Sequence, residues 1–353
     1  MTVFSGNAPY GVGGLGSFLA TVVEEARVRG RLDRYLSTSP RPNDAKGDAV
    51  SPGGWATLFR LPPLRWRHAW REHLASAWFD RAVARRLTET DTFYGFGGAC
   101  LHSLRRARSL GVKELIVESA TSHIDHVRSR HRVASAAYPI EDGWLGAALY
   151  RRTLREYELA DTIVVTSEYS RESFLSRGVP ASKLRRRVQQ VPRRFAAPRT
   201  WQGGHGFHVV YVGRLQVTKG VPIVIEAFRR IDVPAATLTL VGGTATAAMD
   251  RYLKRCLSAD PRIRIAPGDP LPHLHRADVL VHPSYEDGLG LAPLEALACA
   301  VPVLVTHDTG MKEYVIGGQN GFVLPTGDVD ALVEHLELLR GRPLRGTFEP
   351  FHV

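Results

Sequence analysis

The sequence is poor in cysteine. Cys100, Cys256 and Cys299 are the only three in 353 residues, far apart and without a Cys-x-x-Cys spacing, which excludes a disulfide framework and gives no zinc signature. No apolar run approaches the roughly 18 residues a membrane-spanning helix needs, and nothing near the start resembles a signal peptide. There is no short-period repeat, and low-complexity sequence is confined to a stretch rich in Pro and Gly between Val191 and Gly206. A cytoplasmic protein, at most peripheral on a membrane, is the expectation. A surplus of acid is also missing, since 46 Lys/Arg stand against 35 Asp/Glu for a net charge of +11. The excess lies in the first part, which holds 32 Lys/Arg and 19 Asp/Glu up to residue 200, against 14 and 16 after it. Such a basic half suits nucleic acid, an anionic membrane surface, a phosphorylated small molecule or merely a solvated face.

The remaining composition, 44% hydrophobic and 23% charged, is that of a soluble globular protein and excludes a disordered or fibrous chain. The length suggests two domains with separate cores. Short apolar runs alternate with helical patterns, which predicts α/β layering with mainly parallel sheets. In the first part the strands are expected at Thr2–Ser5, Thr92–Phe96, Glu114–Val117, Thr162–Thr166 and Arg187–Val191, with helices at Ser17–Arg29, Ala99–Leu110 and Trp144–Leu159. After the Pro/Gly stretch the alternation restarts at His208–Val212 and continues through Val301–Val305. The expected division is a first domain over 1–195, a linker over 196–206 and a second domain over 207–353.

Two features of the first part carry a functional reading beside a plain one. Trp55–Leu87 interleaves six large aromatics with seven arginines, as would a helix lying on an anionic bilayer or a domain helix with its rings in the core. Gly11-Val-Gly13-Gly14-Leu-Gly16 fits G-x-G-x-x-G, a loop that brings backbone N–H groups to a phosphate, or an ordinary turn. Asn7–Tyr10 separates it from the expected strand and no acidic residue closes the second strand, so a nicotinamide fingerprint is incomplete.

The second part is more specific. Tyr211-Val-Gly213-Arg214-Leu215 followed by Lys219-Gly220 sets a strand end, a glycine turn and two cations ahead of a helix. Arg and Lys at that point would stabilise charge developing on a departing diphosphate without a metal. Next comes a strand, glycine loop, helix and strand from His282 to Pro302, containing Pro283-Ser284, Glu286-Asp287-Gly288-Leu289-Gly290-Leu291 and Glu295-Ala-Leu-Ala, and then Thr306-His-Asp308-Thr309-Gly310.

This block resembles the carboxy-terminal domain of the retaining nucleotide-sugar glycosyltransferases of family 4, with their pattern P-S-x-x-E-G-F-G-x-x-x-x-E-A-x-A-x-G-x-P. The resemblance extends over most of residues 90–340, taking in Glu156–Asp161 and Val164–Ser167. It implies the GT-B fold, two facing Rossmann-like α/β domains with mainly parallel sheets. It implies a nucleoside-diphosphate sugar as donor substrate, with no separate cofactor and no metal site. By the resemblance, Arg214 and Lys219 bind the donor diphosphate and Glu295 the ribose hydroxyls. The family's first acidic residue falls on Asp287, one methylene shorter than the usual Glu, and the neighbouring Glu286 is retained as a second candidate for the donor sugar. Gly288, Leu289, Gly290 and Leu291 form the loop that meets phosphate and sugar, Gly13 and Gly14 contribute from the first domain, and His123 stands where family members place a histidine near the donor.

The sequence departs from the family in three places. Val191-Pro-Arg-Arg-Phe195 replaces the usual Gly-Val-Asp, the first strand begins almost at Met1, and little chain follows Leu339 for the helices that commonly cross back. The expected activity is transfer of a sugar to an acceptor hydroxyl with retained configuration, in cell-surface glycan or glycolipid synthesis. The acceptor is a glycan, glycolipid or small molecule, with an anionic membrane surface as a further partner. The alternatives are a GT-B sugar-nucleotide epimerase, which would form product without an acceptor, an NAD(P)-dependent oxidoreductase and a nucleic-acid-binding protein, the last disfavoured.

Overall fold

The alternating stretches fold, in a computed structural model that describes residues 1–51, 68–196, 206–341 and 344, into two parallel sheets interleaved with helices. In chain order the first set of elements is β1 (Thr2–Pro9), α1 (Gly13–Val28), β2 (Leu32–Ser39), β3 (Gly47–Ala49), α2 (His68–Arg86), β4 (Thr92–Phe96), α3 (Leu101–Ser109), β5 (Glu114–Ser119), α4 (Ile124–Ala137), α5 (Ala147–Leu159), β6 (Thr162–Val165), α6 (Glu168–Leu175) and β7 (Leu184–Arg186). The second is β8 (His208–Val212), α7 (Val221–Arg230), β9 (Thr237–Val241), α8 (Ala247–Ala259), β10 (Ile263–Ala266), α9 (Leu271–Leu274), β11 (Val279–His282), α10 (Leu291–Ala298), β12 (Val303–Thr306), β13 (Gly321–Leu324) and α11 (Val329–Gly341).

The first sheet has the order β3-β2-β1-β4-β5-β6-β7, so the strand order reverses between β1 and β4. The second, β10-β9-β8-β11-β12-β13, reverses between β8 and β11. Ligands of open α/β sheets bind outside the carboxyl ends of the strands at such reversals. Each sheet is therefore of the Rossmann-like type expected from the sequence.

The central strands β8, β11 and β12 of the second sheet read as near-continuous apolar runs because both faces are covered. Successive residues point to opposite faces, so Val209 and Tyr211 of β8 join a core with Ile223, Val279 and Val281, while Val210 joins another with Leu280, Val303 and Val305. Each such fully buried aliphatic side chain contributes about 1.5–3 kcal/mol. The first sheet centres on Phe93, Leu115, Val117, Ile163 and Phe174.

Contacts divide the chain into two units, Met1–Arg128 with Asp142–Val188, and Ser129–Glu141 with Gln189–Val353. The expected boundary at 195 thus lies elsewhere, because Phe195 is fully buried in the second unit's core beside Leu274 and Leu297, and its carbonyl accepts from Cys299 Sγ at 3.4 Å. The linker residues 197–205 lie outside the described residues.

The expected strand Arg187–Val191 is not formed. β6 ends at Val165, which pairs with Arg186, and the Arg187 N–H makes the last bond of the ladder to the Val165 carbonyl at 2.9 Å, so the residues beyond have no partner strand. Of Trp55–Leu87, residues 52–67 lie outside the described residues. The rest forms α2, a domain helix that buries Phe79 and Val83 in the core, with Trp78 packed partly buried against it. Trp70, Arg81, Arg85 and Arg86 stay exposed.

Candidate active site

The second unit assembles its candidate residues where β8 and β11 lie side by side. After β8 the chain passes Gly213 and the exposed Arg214, then closes a 3-10 turn, Val217–Lys219. Gly220 follows at φ +74°, and a Cβ there would stand 2.1 Å from the Pro283 carbonyl oxygen, so only glycine lets this turn pack against the loop after β11. That packing delivers Lys219 to the acidic loop. Its Nζ lies 2.7 Å from Asp287 Oδ2 and donates to the Glu286 carbonyl at 3.0 Å.

Asp287 has a second polar partner, His282 at the end of β11, whose Nε2 lies 3.2 Å from the same oxygen. A carboxylate only accepts, so His282 carries its proton on Nε2. Burial alone would push the Asp287 carboxyl up, but Lys219 and His282 outweigh it and hold the group well below the usual carboxylate range. The backbone of Asp287 is fixed too, with its N–H donating to the Asp308 carbonyl at 3.1 Å and its carbonyl accepting from Gly310 at 3.0 Å. Glu286 is buried, and its carbonyl accepts from Ser284 Oγ at 2.7 Å.

The loop then enters α10 through Gly288, Leu289, Gly290 and Leu291. Gly290, at φ +91°, is the residue before the helix, and a Cβ on it would crowd Met311 Cγ at 3.1 Å and His282 Nε2 at 3.3 Å. The buried Thr309 hydroxyl donates to the Leu289 carbonyl at 3.0 Å and accepts the Met311 N–H at 3.0 Å, which steadies the loop. Glu295 sits one turn into α10. Burial pushes its carboxyl up to about 7, Arg194 pulls the other way and Asp269 adds to the rise. Arg214 makes no ion pair among the described residues.

Three further candidates, Gly13, Gly14 and His123, belong to the first unit. Gly11, at φ +73°, and Gly13, at φ +68°, form the turn into α1. A Cβ at Gly16 would lie 2.0 Å from the Pro9 carbonyl oxygen, while Gly14 has open space around it. The loop stands at the carboxyl end of β1, beside the reversal of the first sheet. His123 follows β5 and is buried between Tyr157 and Phe174, with ring centroids 5.2 and 5.0 Å away. Its N–H donates to Ser173 Oγ at 2.8 Å, and its Nδ1 accepts the Asp125 N–H at 3.2 Å. Burial lowers the imidazole to about 4 against the pull of Asp125. The ring is therefore neutral near pH 7, with its proton on Nε2, a hydrogen-bond donor rather than a cation.

Lys219, Asp287 and Glu286 are thus in direct contact, and Gly288–Leu291 and Glu295 follow on the same loop and helix. Two contributors were not among the residues singled out from the sequence. His282 was quoted in the motif but not chosen, and only the loop's return to the strand end shows that it meets Asp287. Thr309 likewise needed the pairing of the two loops to be seen.

Residues 203–345 match the family described as Glycosyl transferases group 1. The chain is 31% identical over 147 residues to the capsular polysaccharide biosynthesis glycosyltransferase CapM of Staphylococcus aureus, a match covering 40% of this chain and 39% of that protein. It is 30% identical over 239 residues to the GDP-mannose-dependent alpha-(1-6)-phosphatidylinositol monomannoside mannosyltransferase of Mycolicibacterium smegmatis, covering 61% of this chain and 63% of that protein. The chain thus spans less than two thirds of either relative. Among solved structures, the sucrose-phosphate synthase from Thermosynechococcus elongatus aligns with a TM-score of 0.73 at 18% identity, over 97% of this chain and 90% of that one, a likeness of fold, the GT-B class.

Proposed function

From the match of residues 203–345 to the group 1 glycosyl transferases, we propose that the chain is a retaining glycosyltransferase that moves a sugar from a nucleoside diphosphate, UDP or GDP, to an acceptor hydroxyl. The Lys219–Asp287–His282 cluster at the strand reversal of the second sheet is the observation that carries this reading. A paired, pre-charged carboxylate beside a lysine suits a ligand that is both polyhydroxylated and anionic. Lys219 and Arg214 would face the diphosphate, Asp287 and Glu286 the sugar hydroxyls, and Glu295 the ribose. Gly288–Leu291 would present N–H groups at the start of α10.

In the transfer step the bond from the anomeric carbon to the leaving phosphate oxygen breaks as the acceptor oxygen bonds to that carbon on the same face. The acceptor proton passes to the departing diphosphate, whose developing charge Lys219 and Arg214 stabilise. The reading assigns no step to a metal or cofactor. His123 of the first unit, neutral with its proton on Nε2, is a hydrogen-bond donor without a charge. A ligand that binds only the native state raises its melting temperature. A thermal-shift panel of UDP, GDP and ADP sugars is expected to show stabilisation by one nucleotide class, and no shift with any of them would overturn the reading.

The acceptor side is assigned to the basic first part, as a glycan, glycolipid or small molecule at or near an anionic membrane surface. Arg81 and Arg85 of α2 and Arg105 and Arg106 of α3 are exposed and make no ion pair among the described residues. They lie on two helices packed together, one of which also exposes Trp70 to 51%. His102 is lowered by burial, opposed by Asp80, and further by Arg152, Arg81 and Arg105, which places arginines of both helices around one side chain. No helix among the described residues is long and apolar enough to cross a membrane. Sedimentation with anionic vesicles at low salt is expected to pull down the protein, and Arg81→Glu with Arg105→Glu is expected to release it. Equal pelleting of the two proteins would remove the membrane assignment.

A further inference from the structure

Two residues outside every motif hold the Lys219–Asp287 pair. Ser129–Glu141 groups by its contacts with the second unit, although it lies in the first half of the sequence and outside residues 203–345. Near its start, Arg130 Nη2 lies 2.5 Å from Asp308 Oδ2, and its Nε donates to the Tyr285 carbonyl at 3.3 Å. Arg130 thereby grips both segments that frame Asp287, one at the Tyr285 carbonyl two residues before it and the other, through the Asp308 carboxylate, the turn whose Asp308 carbonyl and Gly310 N–H bind the Asp287 peptide groups. At the end of the segment, Glu141 Oε1 accepts the Val217 N–H at 2.8 Å, in the turn that carries Lys219, while its other oxygen accepts from the Thr246 hydroxyl. Between these ends Ala134 is fully buried in the core of the second unit, and the Tyr138 hydroxyl donates to Glu226 at 2.7 Å. The segment is therefore anchored in its middle and charged at both ends.

We propose that Arg130 and Glu141 are positioning residues of the donor site, Arg130 setting the acidic loop and Glu141 the lysine turn, so that Lys219 and Asp287 are held in register before the donor arrives. The proposal rests on the reading that this pair takes a sugar nucleotide. Neither residue needs to touch the donor. Their effect is geometric, and a displacement of about 1 Å at a reacting group costs on the order of 100-fold in rate.

The test uses the full chain with Arg130→Ala, Arg130→Lys, Glu141→Ala and Glu141→Gln. Steady-state kinetics are measured well below the melting temperature, and hydrogen exchange is followed by mass spectrometry without ligand. Arg130→Ala is expected to lower kcat by about 10- to 100-fold with a smaller change in the donor KM. Exchange should quicken in peptides covering 285–290, and for Glu141→Ala in those covering 216–219. Lys at 130 and Gln at 141 should recover a large part of the loss. A lower melting temperature with kcat and KM kept, or faster exchange spread evenly over the chain, would make these residues mere tethers and overturn the proposal. Should wild-type protein bind no sugar nucleotide, the glycosyltransferase reading fails, and the exchange pattern, which needs no ligand, still decides whether the two residues hold the two loops.

Discussion

Lys219→Ala is expected to lower turnover about 100- to 1000-fold, the usual loss when one preorganised charge is removed from the place where a leaving group becomes an anion. Lys219 is suited to that task by its position on a tight turn between β8 and α7 and by its contact with the acidic loop. The substitution does two things at once. It removes the cation proposed to meet the diphosphate, and it leaves the Asp287 carboxylate with His282 as its remaining side-chain partner among the described residues. The second effect costs stability, of order 1–3 kcal/mol for a buried polar group deprived of its partner. Pairing Lys219→Ala with Asp287→Asn separates the two, because it removes both charges. The double variant should melt closer to wild type than Lys219→Ala does, yet remain as inactive. Recovery of turnover along with stability would show that Lys219 serves the fold alone.

Glu295→Ala is expected to weaken donor binding about 10- to 100-fold, the cost of losing charge-assisted hydrogen bonds to two hydroxyls. Its effect should fall on the donor KM more than on kcat, because the ribose is remote from the bond that breaks. Glu295 also predicts a pH dependence. Burial holds its carboxyl up at about 7, so in the free protein at pH 6 it is mostly protonated and at pH 8 mostly ionised. The ionised form accepts from both ribose hydroxyls, so donor affinity should rise as pH is raised through 7. Glu295→Gln, which cannot ionise, should flatten that rise, and calorimetric titration of the donor from pH 6 to 8 measures both. An unchanged slope in the Gln variant would assign the titration to another group.

The fold class was legible because both sheets are buried on two faces, so their central strands read as near-continuous apolar runs such as His208–Val212, closed by Gly213, and Val279–His282, closed by Pro283. The residues proposed for the donor side were legible for a related reason. Gly220 and Gly290 occupy backbone conformations and close approaches that other residues do not tolerate, so the motif that brings Lys219 to Asp287 leaves a mark on the sequence. Arg130 and Glu141 leave no such mark. An arginine and a glutamate on a surface-patterned segment look like any solvated pair until the segment is seen to pack with residues far along the chain. His123 lay between these cases. Its place after a strand was readable, but its tautomer depends on the Asp125 N–H and its neutrality on burial against Tyr157 and Phe174. The division between units was misplaced because Pro and Gly in Val191–Gly206 suggested a linker, whereas the buried Phe195 ties the start of that stretch into the second core.

The surplus of positive charge also finds its place. The two cations proposed for the diphosphate, Arg214 and Lys219, lie in the nearly neutral part of the chain, so the proposed donor does not account for the basic first part. Arg81, Arg85, Arg105 and Arg106, exposed on adjacent helices, turn that surplus into a question about the acceptor.

The most direct test of the donor site is calorimetric titration of the nucleoside diphosphate selected by the thermal-shift panel into wild-type protein and Lys219→Ala. Binding to wild type, weakened at least about tenfold in the variant as expected for a lost charge-assisted contact, is the result predicted. Equal affinity for the two proteins would contradict the placement of the diphosphate beside Lys219 and Asp287.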